Sequence, residues 1–358
     1  MNITYILGNG FDIQLGLKSR YSDFLEEYVK PKDGDSENVR AFREYLKERP
    51  NCEWWSDVEK AMGEELGKFS DETIEVYREQ LINLEDELAD YLDEQESKCN
   101  WDESEKIKER FVEFLRTSMA NLTKDMYKQK DLVNRNFHFI SLNYTNLIDK
   151  VFQCCIENGG RVIYRDARRT SIYQDVLGKI YHVHGDLTDG IIMGVNDESQ
   201  LTINPGLTVD NKIRWQFLKD EMRDKILKER DEAAKELIEY SDIIALYGVS
   251  CGKSDARWWD EIIKWLQCNT DHRVLAFVYN ENAQPRPRNV FLKIIHENDK
   301  KEEILGKFGI SKDSAYFDVL EKQLYIKDAT KDLNLRELIH PEEAIAAMKE
   351  TDKSEVSI

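Results

Sequence analysis

The sequence predicts an α/β fold, a mostly parallel sheet carrying a large helical insertion. Three observations point there. Residues 3–8 form an apolar run that opens into Gly8-Asn9-Gly10. The run Ile243-Ile244-Ala245-Leu246-Tyr247-Gly248 also ends in glycine, with a helical stretch at about 255–267 and the apolar run Arg273–Tyr279 behind it. Strand, loop, helix, strand is the order of a parallel sheet, because parallel neighbours need a long crossover. The third observation is the stretch from about 36 to 130, rich in Glu, Leu, Tyr and Lys and poor in strand signals.

Taken in order, the chain opens on a buried strand at 3–8 and turns helical at 22–30. Within the long polar stretch, Thr73–Leu84 and Ile107–Leu115 repeat apolar residues three and four apart, the spacing of amphipathic helices. Phe137–Leu142 reads as a strand, followed by a loop with Asn143, Tyr144 and Thr145 and a helix over 146–157. Further strands are expected at 161–164, 179–183 and 190–194, and one helix over 209–239. Residues 343–358 are polar and expected to fray. The resulting division is a core of 1–35 and 131–335, a helical insertion or lid at 36–130, and a polar tail at 336–358.

Composition narrows the function. An apolar fraction of 41% over 358 residues supports a substantial core, and no apolar run reaches the length of a membrane span. The first residues lack the basic head and small-residue cleavage site of a signal peptide. The six cysteines form no CxxC pair, so neither a zinc knuckle nor a disulfide scaffold is expected, and a cytoplasmic location is the simplest reading. A net charge of −19 repels nucleic acid over most of the surface. Arg165, Arg168 and Arg169 make a local basic patch or a solvated loop. A nucleotide remains acceptable, since backbone N–H groups and one or two arginines can hold a diphosphate. Residues 71–110 carry a net charge of −10, which suits a solvated helical face or a surface for a partner.

Four segments carry residues with chemical potential. Gly8-Asn9-Gly10 lets backbone approach a ligand closely, or simply makes a tight turn. Neither a GxGxxG pattern (Ile13 stands at its last position) nor a Walker pattern is present. Asp12 can accept hydrogen bonds from a ribose or cap the next helix. Asn143 falls at the carboxyl end of a strand, where open sheets bind ligands, and either holds a water or ribose hydroxyl or braces its loop. His182 and His184, two apart on a strand, face one side, and His184 beside Gly185 is a candidate general base. His-Val-His-Gly-Asp is similar to part of a metal-hydrolase signature, but Leu187 occupies the final histidine position, so a metal site is not expected. In Gly248–Asp255, backbone N–H groups with Ser250 and Ser254 can hold a ribose or phosphate, and Asp255 can bind a hydroxyl or cap a helix. Cys251 has no histidine beside it in sequence and is not read as a nucleophile.

Together these motifs resemble the AbiH family of bacteriophage abortive-infection proteins and, more distantly, the Sir2-like NAD-binding fold. Gly8–Asp12 followed by Gly16-Leu17-Lys18-Ser19-Arg20-Tyr21-Ser22-Asp23-Phe24 resembles the AbiH opening. Leu142–Asp149 resembles the Sir2-like Asn-Tyr-Asp segment, His184-Gly185 its His-Gly, and Gly248-Val249-Ser250 its Gly-x-Ser. The resemblance implies a Rossmann-like (Sir2-like) sheet and an antiphage role. It implies NAD as ligand or substrate, contacted by Gly8, Asn9, Gly10, Asp12, Gly248, Ser250 and Asp255, with His184 and Asn143 catalytic. Three features depart from the Sir2-like pattern: Asp12 replaces a small or serine residue, Thr145 replaces an aspartate, and the zinc cysteines are missing. Protein deacetylation is therefore not expected, whereas Asn143 and His184 keep NAD cleavage open. Two alternatives stand beside it. One is a metal-dependent nuclease that gathers Asp12, Asp186, Asp255 and His184 around a divalent ion. The other is a non-catalytic nucleotide sensor in a defence complex. A phage trigger or homo-oligomerisation through the helical region completes the expected partners.

Overall fold

A computed structural model describes residues 1–50, 53–55, 57–119, 122, 134–156, 161–166, 173–278, 290–329, 333 and 335–340. The fraying expected at 343–358 and the arginines at 168 and 169 lie outside the described residues. The first strand, β1 (Asn2–Leu7), is buried along almost its whole length, so both of its faces must be covered. It pairs in parallel with β2 (Arg135–Ser141) on one side and β7 (Ile243–Tyr247) on the other. The sheet has seven strands in the order β3 (Val162–Asp166), β4 (Tyr173–His182), β2, β1, β7, β8 (Arg273–Val278), β9 (Leu324–Asp328). Only β3, at the edge, runs antiparallel, to β4. The two buried hydroxyls within β1 are both satisfied, Thr4 by Ser241 Oγ at 2.6 Å and Tyr5 by Ser118 Oγ at 2.9 Å.

Side chains alternate across this sheet. Ile3, Tyr5 and Leu7 join Phe137 and Phe139 on one face, covered by α6 (Ser104–Ser118) and α7 (Leu147–Cys155). Ile6, Ile140, Ile244 and Leu246 point the other way, against α10 (Lys228–Glu239) and α11 (Ala256–Cys268). A third core lies among α2 (Tyr21–Tyr28), α3 (Glu37–Lys47), α4 (Val58–Glu65) and α5 (Ile74–Ser97). Along α5, Ile74, Tyr77, Leu81, Leu84, Leu88 and Leu92 make the inward stripe that the sequence periodicity anticipates. Hydrophobic packing does not follow the chain limits of 36–130. Phe24, Met193, Leu207 and Phe217 join the helical core, whereas Phe111 and Phe114 of α6 join the sheet.

Several elements differ from the sequence reading. Gly8-Asn9-Gly10 is not a free loop, because α1 (Asn9–Leu15) begins inside it and ends at Gly16, φ +104°. The strand expected at 190–194 shrinks to β6 (Gly190–Ile191), paired only with β5 (Gly185–Asp186) and outside the central sheet. The helix expected over 209–239 is three: α8 (Asn211–Phe217), α9 (Lys219–Ile226) and α10. Its first break has a tertiary cause. Leu218 turns extended and bridges to Val195, with Val195 N–H on Phe217 O at 2.8 Å and Lys219 N–H on Val195 O at 2.9 Å. Beyond residue 279 the sequence suggested no elements, yet α12 (Val290–Lys307), α13 (Phe317–Gln323) and β9 complete one edge of the fold, and α14 (Arg336–Ile339) follows. No helix among the described residues is long and apolar enough to cross a membrane.

Candidate functional site

Parallel strands end together, so the segments after β1, β2, β4 and β7 converge at one edge of the sheet. A cavity of about 370 Å³ lies there. Gly8, Asn9, Gly10, Asp12, Asn143, His184, Gly248, Ser250 and Asp255 all line it. The helical region adds Tyr21, Asp57, Glu59, Leu88 and Leu92 to its wall, and the start of α9 adds Lys219.

The glycines make a seam of backbone against backbone. Gly8 N–H donates to Tyr247 O at 3.0 Å and Gly10 N–H to Gly248 O at 2.8 Å. A Cβ on Gly10 would lie 2.5 Å from Gly248 Cα, and one on Gly248, φ +68°, 2.4 Å from Phe11 N. No side chain fits at either position. The same bonds correct one expectation. The N–H groups of Gly8 and Gly10 are taken by protein carbonyls and are not free to cradle a phosphate in this state. The Asn9 side chain is tied to Ser19. A second cavity, about 360 Å³, lies across the seam and shares Gly10, Gly248 and Ser250 with the first.

Behind the seam sits a buried polar triangle. Asp12 lies within α1 and caps nothing; its carboxylate accepts from Asn143 Nδ2 at 2.8 Å and from Thr145 Oγ1 at 2.6 Å. Asn143 Nδ2 also donates to Gly8 O at 3.1 Å, so its amide braces the glycine turn while the residue lines the cavity. Burial pushes the Asp12 carboxyl up to about 7, against the pull of Thr145 and Asn143.

His184 is buried, with Nδ1 against Leu142 O at 3.1 Å. A carbonyl only accepts, so Nδ1 carries the proton and Nε2 of the neutral ring keeps its lone pair. Nε2 lies 2.9 Å from Asp255 Oδ1 but off the direction a hydrogen bond needs, and neither atom has a hydrogen-bond partner among the described residues. Lys219 Nζ sits 2.7 Å from the Glu59 carboxylate and 3.8 Å from Asp255 Oδ1. Tyr144 donates to Glu59 at 3.1 Å. Burial first, then the Lys219 charge, push His184 down to about 4, outweighing Asp255. Burial acts to raise Asp255, but Lys219 and His184 outweigh it and hold the carboxyl well below the usual range. Burial raises Glu59, opposed by Lys219. Burial likewise keeps Tyr21 and Tyr144 protonated. Asp255 makes no side-chain cap on α11, because its carboxylate is turned to this cluster.

Other sequence expectations come apart here. His182 and His184 do not share a site. β4 ends at His182, and the backbone departs from strand geometry through Val183 to Gly185, φ +77°. His182 Nε2 pairs with Asp149 at 2.7 Å, away from the cavity lining. Asp186 does not line the cavity either; it accepts from the Thr188 and Asp189 amides and pairs with Arg230 at 3.1 Å. The four-residue metal constellation is therefore not assembled, and among the described residues no group of three or more His, Cys, Asp or Glu is arranged to hold a metal ion. Burial raises the Cys251 thiol to about 12, which suits a packed side chain rather than a nucleophile.

Sequence reasoning missed Lys219 and Glu59, which reach the cavity from helices far from the glycine and histidine motifs. One signal existed. Lys219, Arg223, Leu227, Asp231, Ala234 and Ile238 form a single buried series at helical spacing, and charges occupy three of its six positions. Charge at positions where apolar residues belong marks a buried polar task.

No curated protein matches the chain. The family model for bacteriophage abortive infection AbiH matches residues 4–279, a span that includes all nine residues above together with Glu59 and Lys219. The chain belongs to the AbiH family of bacteriophage abortive-infection proteins.

Proposed function

We propose that this antiphage protein binds NAD in the cavity beneath the glycine seam and hydrolyses the nicotinamide–ribose bond. The observation that carries the reading is a buried imidazole whose Nδ1 faces the Leu142 carbonyl and whose Nε2 has no hydrogen-bond partner among the described residues, inside a wall of carboxylates. Asp57, Glu59 and Asp255 line the cavity with Asp12, and Lys219 is the one Lys or Arg among its described lining residues. Such a wall favours the cationic nicotinamide ring and the oxocarbenium-like centre formed as its bond breaks. The anionic diphosphate belongs outside that wall, along Gly248–Ser254, because the Gly8 and Gly10 amides are engaged.

In this reading water attacks the ribose carbon as the carbon–nitrogen bond breaks, and nicotinamide leaves with the bonding pair. The water proton passes to His184 Nε2, directly or through a ribose hydroxyl, and Asp255 stabilises the imidazolium. Asn143 positions water or the ribose and braces the turn. Two of the departures from the Sir2-like pattern support the reading, because Asp12 and Thr145 touch each other. The two side chains share one 2.6 Å hydrogen bond, so they form a single polar pair.

A general base of this kind contributes roughly 100- to 10,000-fold to rate. The test is NAD content in cells carrying the protein, before and after phage challenge, with His184→Ala alongside. NAD loss on infection that disappears in the variant supports hydrolysis. Stable NAD with intact protection in both overturns it. The depressed basicity of His184 favours one second reading, a nucleotide sensor, which would show NAD binding to the purified protein without turnover.

A further inference from the structure

We propose that Lys219 is a positioning residue for His184: held by Glu59 of the helical region, its ammonium competes with the imidazole for one oxygen of Asp255. This rests on the reading of His184 as proton acceptor, but its test needs no turnover.

Both contacts converge on Asp255 Oδ1, at 2.9 Å from His184 Nε2 and 3.8 Å from Lys219 Nζ. An imidazole this close to a buried carboxylate ordinarily takes up a proton and becomes its cation. Here a cation is already present. Lys219 is 1% exposed, so solvent screens it little. Glu59, at 2.7 Å, holds the ammonium back from full contact with Asp255. Two carboxylates therefore share one ammonium, and the division decides whether His184 keeps its lone pair.

The other groups around His184 do not offset this balance. Arg223 of α9 adds positive charge, while Tyr21 of α2 and Tyr144 after β2 stay protonated and neutral. The bridge from Leu218 to Val195 starts α9 at Lys219, which ties the ammonium's position to the broken helix. Glu59 lies on α4, so the helical region acts on the chemistry as well as bounding the cavity.

Removing either partner of a merely structural ion pair would damage the protein in the same way. In this arrangement the two removals act in opposite directions. Without Lys219, Asp255 loses the ammonium that competes with the imidazole, and His184 holds a proton. Without the Glu59 charge, Lys219 moves onto Asp255 and His184 stays neutral.

The test is NMR titration of ring-labelled histidines in the full-length, nucleotide-free protein, with the His184 signal assigned by its loss in His184→Gln. Wild type is expected to keep a neutral ring down to about pH 4. Lys219→Met should titrate roughly 1 unit higher or more, with Lys219→Arg restoring wild-type behaviour. Glu59→Gln should titrate no higher than wild type. A folded Lys219→Met with His184 unchanged overturns the proposal. So does a rise of His184 in Glu59→Gln or Lys219→Arg, and these two decide the matter if Lys219→Met does not fold. If NAD is never cleaved but the titrations split as described, the enzyme reading fails and the coupling stands. If NAD is cleaved but the titrations do not split, the coupling fails alone.

Discussion

His182 and His184 stand two residues apart at the end of β4, and their surroundings push them in opposite directions. His182 meets Asp149, which is 37% exposed, and that carboxylate outweighs burial and raises the imidazole. His184 meets Asp255 just as closely, yet burial and Lys219 prevail and it falls to about 4. The lesson is that a nearby carboxylate does not by itself make a histidine basic. What decides is whether a competing cation and the loss of water are present as well. One imidazole is paired with a carboxylate outside the cavity lining, and the other faces the cavity with Nε2 unpartnered among the described residues.

Breaking this contrast should have graded consequences. The largest effect is on chemistry. On the proposed function, His184→Ala should lower NAD cleavage by roughly 100- to 10,000-fold, measured as nicotinamide release, while His182→Ala should change it far less.

Stability against pH offers a second contrast. Because its folded value lies below 6.5, His184 favours the fold above that pH, and this support is lost as pH falls from 6.5 to about 4. The loss is on the order of 2–3 kcal/mol. His184→Ala should therefore gain on wild type over that window in denaturant titrations. His182 has the opposite sign. Its raised value favours the fold below 6.5, and this support disappears as pH rises through the folded value. His182→Ala should fall behind wild type on acidification, by about 1 kcal/mol or less, since Asp149 is partly solvated.

A further test, of a size comparable to that of His184, concerns the triangle behind the seam. Asp12 is raised to about 7, so its contribution is present below 3.8 and fades as pH climbs through 7. Asp12→Asn should gain stability relative to wild type over that range, seen as a smaller drop in Tm between acidic and neutral buffer. A parallel Tm profile for the two proteins would show that the Asp12 charge is not held against burial.

Much of the architecture was legible because burial on both faces leaves predominantly apolar runs. Ile3–Leu7, Phe137–Ser141, Ile243–Tyr247 and Arg273–Val278 are such runs, and each is a strand of the sheet. The nine residues at the cavity were legible as a group for a related reason. Each follows the carboxyl end of a strand, and parallel neighbours bring those ends together. What was not legible has equally specific causes. The N–H groups of Gly8 and Gly10 seemed available because their acceptors, Tyr247 and Gly248, lie more than two hundred residues away. The span 209–239 looked like one helix because nothing local marks Leu218 as the partner of Val195.

By itself the sequence determined the parallel sheet, the helical character of the long polar stretch, and the chain segments that reach the cavity. Those properties follow from periodicity and from order along the chain, which act over a few residues. Only the tertiary structure decided the surroundings of the two histidines, the contact between Asp12 and Thr145, and the arrival of Glu59 and Lys219 beside Asp255. These depend on burial and on Coulomb interactions over a few ångströms between residues far apart in sequence, and no local pattern encodes such distances.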